Sequence, residues 1–380
     1  MRKTRATTLA ATAMAAALAL AGCAKDSGTS GSSNNDNAAA GSCVTATAPA
    51  ATAASTSSSA AGERVDASKL RVALAFDIGG RGDASFNDAA AAGVDKAKAD
   101  MGVTDVREST ASPTEDEAAK EQRLTQLATD GYSPILAIGF AYASAVQAVA
   151  PKFPNTQFAI VDDDSVTAPN VTPLVFSEEQ GSFLVGVAAV YKSKNCHVGF
   201  VGGVNTPLIQ KFEAGFIAGA KAASNKVQIT SDYLTPAGDN TGFQDPAKGN
   251  IKAAAEFSAG ADVVYQAAGA SGKGVFQAAS AAKSLAIGVD SDQYNQATVA
   301  EYKDVIMTSM LKRVDVAVYD YIQALASNTL SSLPKRFDLS VDGVGYSTSG
   351  GKIDDIKPQL EGYKQAIISG SITVPTTPQK

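Results

Sequence analysis

From residue 70 onward, short apolar runs alternate with longer stretches whose apolar positions recur at helical spacing. The runs at 70–76, 135–138, 158–161, 198–201, 227–229, 263–265 and 286–289 are rich in Val, Ile and Phe and bounded by turn residues, which predicts strands. Ala-rich segments at 115–128, 143–150, 207–223 and 274–283 predict helices between them. This alternation of period 2 and period 3.6 is the pattern of an α/β fold with parallel sheets. Most of these strands end in a polar or small residue: Asp77, Gly139, Asp162, Gly202, Ala268-Gly269 and Asp290. In an open α/β sheet the ligand crevice lies at the carboxyl ends of the strands, so these positions form a candidate site. Any one of them reads equally well as a cap or turn residue, but three carboxylates at three such ends favour the site.

The N-terminus follows another pattern. Arg2, Lys3 and Arg5 precede an apolar run at 9–20, and Leu20-Ala21-Gly22 places small residues before Cys23. The run is shorter than a bilayer span of about 30 Å requires, so 1–22 reads as a processed lipoprotein signal with Cys23 as the lipidated residue. Residues 24–62 are almost wholly Ser, Gly, Ala, Thr, Asn and Asp without apolar periodicity, the composition of a tether reaching on the order of 35 Å. These features predict a protein held by its lipid at the extracytoplasmic face of the cell membrane.

Beyond the tether, about 315 residues suffice for two lobes. Loss of Arg2, Lys3 and Arg5 with the acid-free signal takes the formal charge from −6 to −9. With no Lys/Arg cluster, this acidity argues against nucleic acid or an anionic membrane surface as a partner. His197 is the only histidine, so a zinc site or a histidine-dependent triad has little support, and no metal or other cofactor is expected. Cys196 and His197 are adjacent on a strand and point to opposite faces, which removes them as nucleophile and base. In an oxidising compartment Cys43 and Cys196 can pair and pin the tether to the body, or remain two separate thiols.

The densest segment is 76–88, where a strand runs through Asp77-Ile78-Gly79-Gly80-Arg81-Gly82 into a helix beginning about Ala84, with Asp83 as a candidate N-cap. Phe86 and Asn87 in its first turn offer a flat apolar face beside an amide that donates and accepts. This is no phosphate loop. It lacks G-x-G-x-x-G, and 269–274 lacks the first glycine and the Ser/Thr of a Walker A motif.

Together with 138–140, 158–162, 179–186, 201–203, 212–216, 288–293 and 308–312, this segment resembles, in order, the basic membrane protein family of ABC-transporter substrate-binding lipoproteins. The resemblance covers about 70–375. It implies a type I periplasmic-binding-protein fold, two doubly wound α/β lobes joined by a three-strand hinge. Crossings near Ser177, Gln293 and Ser327 would give an N-terminal lobe of 65–177 with 293–327 and a C-terminal lobe of 178–292 with 328–378. It further implies a monomeric, non-enzymatic receptor that delivers a nucleoside, of the purine class, to an ABC permease and its ATPase.

Carried onto this sequence, the family's site would place a purine between Phe86 and Phe212, offset stacking suiting a flat heteroaromatic base. Asn87, Asp77 and Asp162 would face the base edge or cleft floor, Asp290 and Lys312 the ribose hydroxyls, and Gly269 would allow close backbone approach. Ala91 and Ala92 stand where relatives commonly carry an aromatic residue and a Glu, which predicts a slimmer helix and a wider pocket. Two other readings remain: a ligand-sensing lipoprotein for another small molecule, and a nucleoside hydrolase using Asp77, Asp83 and Asp162 around a cation.

Overall fold

In a computed structural model, residues 43–50 and 65–379 are described. The expected export signal and Cys23 lie outside them. Among the described residues no helix is long and apolar enough to cross a membrane.

The first lobe is built on strands β1 (Arg71–Phe76), β2 (Asp105–Thr110), β3 (Ile135–Ala137), β4 (Phe158–Val161) and β5 (Val171–Leu174). They pair in the order β2-β1-β3-β4-β5, all parallel. A parallel sheet is covered on both faces, which is why β1 reads as a continuous apolar run. Val72, Leu74 and Phe76 pack on the side of α1 (Phe86–Met101), while Ala73 and Ala75 pack with α2 (Glu117–Thr129) and α3 (Ala143–Val149). Strand β2, Asp-Val-Arg-Glu-Ser-Thr, carried no apolar signal because it is a half-exposed edge strand paired only with β1.

The second lobe comprises β6 (His197–Asn205), β7 (Gln228–Pro236), β8 (Val263–Ala267), β9 (Leu285–Asp290), β10 (Ile306–Lys312) and β11 (Val344–Tyr346) in the order β11-β10-β9-β8-β6-β7. Only β11 is antiparallel. Its helices are α4 (Glu178–Lys192), α5 (Pro207–Ala223), α6 (Pro246–Ser258), α7 (Gly272–Ala282) and α9 (Lys357–Ile368).

Helix α8 (Val314–Ala326) packs on α1, where the backbone oxygen of Asp315 lies over Gly93. The chain therefore crosses between lobes at 175–177, at 312–314 and again near Phe337, which bridges to Phe176. This differs from the sequence expectation in two places. Residues 293–312 belong with the second sheet because β10 is hydrogen-bonded to β9, so the second crossing is at Arg313, not near Gln293. The third follows the return after α8, at Phe337, whose N–H donates to the Val175 carbonyl, rather than near Ser327. The sequence misplaced β10 because the run 306–312 was not read as a strand.

The expected tether is also partly fixed. Cys43 and Cys196 form a disulfide with Cα atoms 4.8 Å apart. Residues 44–46 lie against the base of the second lobe: Ala46 N–H donates to the Ala223 carbonyl at 2.7 Å, Ser224 Oγ to the Val44 carbonyl at 2.9 Å, and Tyr191 OH to the Ala46 carbonyl at 3.2 Å. Cys196 precedes β6 at its N-terminal end, the end away from the cleft.

Glu256 on α6 is 3% exposed, and neither carboxyl oxygen has a hydrogen-bond partner. Its Oε2 occupies the space a Cβ would take at Gly199, so glycine there makes room for it. Burial pushes this carboxyl up to about 9, Asp232 adding and Lys252 opposing. The folded state thus keeps a proton that an ordinary glutamate, near 4.5, releases, and stability falls as pH rises from about 4.5 to about 9.

Two outcomes are expected. In chemical denaturation between pH 5 and 9, Glu256→Gln becomes progressively more stable relative to the wild type as pH rises; parallel profiles would contradict the buried acid. Cys43→Ser lowers stability by ~2–4 kcal/mol and exposes residues 43–50 to protease, and an unchanged melting and digestion pattern would count against the staple.

Candidate functional site

The carboxyl ends of both sheets face one cleft, lined by residues of both lobes that include all eight sequence-predicted ligand positions. Asp77, Phe86, Asn87 and Asp162 come from the first lobe; Phe212, Gly269, Asp290 and Lys312 come from the second.

At its centre is Lys312, the last residue of β10, fully buried. Its Nζ lies 2.6 Å from Asp162 Oδ1 and 3.3 Å from Glu178 Oε1. Three rings surround the ammonium, Phe176, Phe86 and Phe212, with centroids at 5.1, 5.2 and 5.5 Å. A buried ammonium is costly unless paired, and here two carboxylates and three ring faces compensate it. Burial alone would lower the Lys312 pKa, but Asp162, Glu178 and Asp290 outweigh it and raise it, so the side chain stays charged. Burial pushes Asp162 up to about 6, with Lys312 pulling it down, so at neutral pH the pair is ionic.

Asp290 at the end of β9 and Asp162 directly after β4 both have positive φ, 62° and 71°. Burial pushes Asp290 up to about 7, opposed by Lys312 and by the Ser85 hydroxyl, which donates to Oδ2 at 2.5 Å. Asp77 is pushed by burial up to about 6, and its Oδ1 accepts from the Ile78 N–H at 2.7 Å. Gly139 lets β3 end against it: a Cβ there would stand 2.8 Å from Asp77 Oδ2, and its φ of 111° suits glycine.

The glycine-rich loop is organised by Asp83 rather than by phosphate-binding amides. Helix α1 begins at Phe86, with Ser85 at the N-cap position, but the capping bonds come from Asp83. Its oxygens accept from the N–H groups of Ser85 (2.9 Å), Asn87 (2.8 Å) and Asp88 (3.1 Å), and from Asn87 Nδ2 (3.1 Å). Asn87 Nδ2 also donates to the Ile78 carbonyl at 3.3 Å, which leaves the buried Oδ1 without a partner on the cleft wall. Asn87 thus offers the cleft an acceptor, while Asp77 and Asp290 offer further acceptors and Lys312 a donor.

Asp83 and Asp162 are committed to backbone amides and to Lys312 respectively, and among the described residues no group of three Asp, Glu, His or Cys is arranged to hold a metal ion. Cys196 is bonded to Cys43, so no free thiol stands beside His197.

The expected widening at Ala91 and Ala92 is not found. Ala91 is packed into the core and Ala92 is exposed on the other side of α1, so neither touches the cleft. Sequence reasoning missed Glu178, Phe176 and Phe243. Glu178 immediately precedes the 179–186 motif, so the second counterion was one residue from a segment already singled out. Phe243 closes a turn of Gly238-Asp239-Asn240-Thr241-Gly242 and lies over Gly269, a lone aromatic in a polar loop being the available signal.

The sequence model of the Bmp family, described as ABC transporter substrate-binding protein PnrA-like, matches residues 69–378. A CD4+ T-cell-stimulating antigen of Listeria monocytogenes is 37% identical over 325 residues, covering 81% of this chain and 88% of the antigen. A protein of Lactococcus lactis named ABC transporter nucleoside-binding protein BmpA is 32% identical over 331 residues, 81% of this chain and 89% of its own. Among solved structures, an ABC transporter solute-binding protein of Aeropyrum pernix K1 superposes with a TM-score of 0.69 at 28% identity, over 82% of this chain and 94% of that one.

The buried ion pair makes a direct prediction. Lys312→Met leaves two buried carboxylates without their cation, and chemical denaturation at pH 7 should show a loss of ~3–5 kcal/mol. A loss below about 1 kcal/mol would mean that the carboxylates are solvated and the ammonium is not their organising partner.

Proposed function

The chain belongs to the Bmp family of ABC transporter substrate-binding proteins and has the two-lobed type I periplasmic-binding-protein fold, and on that premise we propose that it captures a nucleoside, of the purine class, between its lobes and delivers it to an ABC permease. The observation that carries this reading is the meeting of Phe86 and Phe212, from different lobes, at one buried ammonium. Two aromatic faces reaching a cleft from opposite sides suit a flat heteroaromatic base, which gains by stacking and by burial together.

The polar groups divide in the same sense. Asn87 Oδ1 and Asp77 lie on the first-lobe wall, where the exocyclic amines and ring N–H groups of a purine need acceptors. Asp290 and Lys312 lie together, and a ribose diol is a donor and acceptor pair that a carboxylate and an ammonium satisfy. Gly269, with φ of 56°, leaves its backbone unobstructed on the second-lobe wall. Phosphorylated ligands fit poorly, because Asp77, Asp83, Asp162 and Asp290 line the cleft and Lys312, the one cation among its described lining residues, is already paired twice. The nucleoside-binding name of the Lactococcus lactis relative supports the same class.

In the proposed mechanism, an open form admits the ligand and contacts from both lobes stabilise the closed form that the permease recognises. No bond is made or broken, consistent with a family of binding proteins rather than enzymes. We further propose that Cys23 carries the lipid and that the monomeric body works at the extracytoplasmic face of the membrane. Several relatives are named lipoproteins, which supports the anchor.

Calorimetric titration with adenosine tests the clamp. Phe86→Ala and Phe212→Ala should each weaken binding by about 1–3 kcal/mol through lost stacking and burial. Wild-type affinity in both variants would overturn the sandwich.

A further inference from the structure

We propose that Ala84 and Ser85 form a latch that holds the two lobes closed without any ligand, and that Gln293 is the residue positioning its catch. The latch rests on the capture-by-closure reading above but not on which molecule is captured.

The loop between β1 and α1 reaches the second lobe through Ala84 and Ser85. The methyl group of Ala84, 1% exposed, sits in an apolar cluster of that lobe with Phe276, Val299 and Ile306. The Ala84 carbonyl accepts from Gln293 Nε2 at 3.0 Å, and the Ser85 carbonyl accepts from Ser291 Oγ at 2.9 Å. The Ser85 hydroxyl donates to Asp290 at 2.5 Å. A first-lobe residue is thus plugged into a second-lobe socket and held by three hydrogen bonds around it. Ala84 adopts φ of 56°, a left-handed conformation that costs a residue with a Cβ on the order of 1 kcal/mol and persists where the surroundings over-determine it.

The catch is rigid. Gln293 is 1% exposed, and its Oε1 accepts from Gln266 Nε2 at 2.8 Å and from the Val289 N–H at 2.9 Å. Both donors face that oxygen, which fixes the amide orientation and leaves Nε2 to donate to Ala84. Gly288 makes room for it, since a Cβ there would stand 2.6 Å from Gln293 Oε1. Gln266 Oε1 in turn accepts from the Ala268 N–H at 3.0 Å, beside the cleft-lining Gly269. The latch is therefore continuous with the ligand wall, although none of Ala84, Gln266 and Gln293 lines the cleft.

A closed form with its own buried contacts is populated before ligand arrives, and apparent affinity scales with that population. Closure that depended on ligand alone would have no use for a buried amide aimed at a carbonyl of the opposite lobe.

The test is a two-site distance measurement by pulsed electron resonance. Spin labels are placed on the full chain at Lys152→Cys in the first lobe and Ala255→Cys in the second, and the protein is stripped of ligand. Gln293→Glu keeps the accepting oxygen but turns the donor into a carboxylate facing the Ala84 carbonyl; Ser291→Ala removes only one hydroxyl. The expected result is a substantial closed population in the ligand-free parent that Gln293→Glu abolishes and Ser291→Ala reduces. Adenosine should restore the closed distance, with affinity about tenfold weaker in Gln293→Glu. A ligand-free parent that is entirely open, or a closed population unchanged in both variants, would overturn the latch. Should Gln293→Glu not fold, as shown by its thermal melt, Ser291→Ala alone decides by the same distance criterion. The ligand-free distances stand without a ligand, so silence toward adenosine would bear on the nucleoside reading and leave the latch judged on its own.

Discussion

A protonated lysine enclosed by protein is tolerable only if its partners are brought to it, and in this chain the lysine and its two carboxylate partners come from three separate parts of the fold. Asp162 ends a strand of the first sheet, Glu178 begins the helix after the first crossing, and Lys312 ends the strand before the second. The ion pairs therefore join the first two crossings, at Glu178 and Lys312, to the end of a first-lobe strand at Asp162. Phe86, Phe176 and Phe212 close over the same charge. The cleft is built outward from that point: its aromatic walls are where the ammonium needs apolar cover, and its remaining carboxylates are those that the ammonium does not neutralise.

This arrangement reconciles an acidic protein with a specific binding site. Asp77 and Asp290 are shifted toward neutrality by burial, to about 6 and about 7, so near neutral pH the cleft is less charged than its composition suggests. Such groups switch readily between accepting and donating, which suits a polar, uncharged ligand rich in N–H and O–H groups. At the opposite end of the second lobe, the Cys43–Cys196 bond fixes where the N-terminal segment leaves the body, away from the cleft. The disulfide and the cleft thus lie at different ends of one lobe.

Much of this was legible in the sequence. Strands such as 135–138 and 158–161 announced themselves because both faces of a parallel sheet are buried, and the residues after them were legible as lining one cleft because that is where an open sheet leaves its crevice. Elements that violate those regularities were not legible. Strand β2 is polar because it is an edge, and β10, although apolar, was read only as part of a motif, which displaced the second crossing from Arg313 to Gln293. Glu178 was missed because nothing local distinguishes a buried counterion from a first-turn helix acid; its partner lies 134 positions away at Lys312. The expectation of a wider pocket at Ala91 and Ala92 failed because the helical register turns one into the core and the other to solvent.

The measurement that bears most directly on the account is a calorimetric panel on ligand-stripped protein: adenosine, guanosine, inosine, uridine, adenine, ribose and adenosine monophosphate. A purine nucleoside is expected to bind tightly, adenine and ribose alone each far more weakly because each engages only half the cleft, and the monophosphate is expected to be rejected by the carboxylates of the cleft. Tight binding of ribose without a base, or of the monophosphate in preference to the nucleoside, would contradict it.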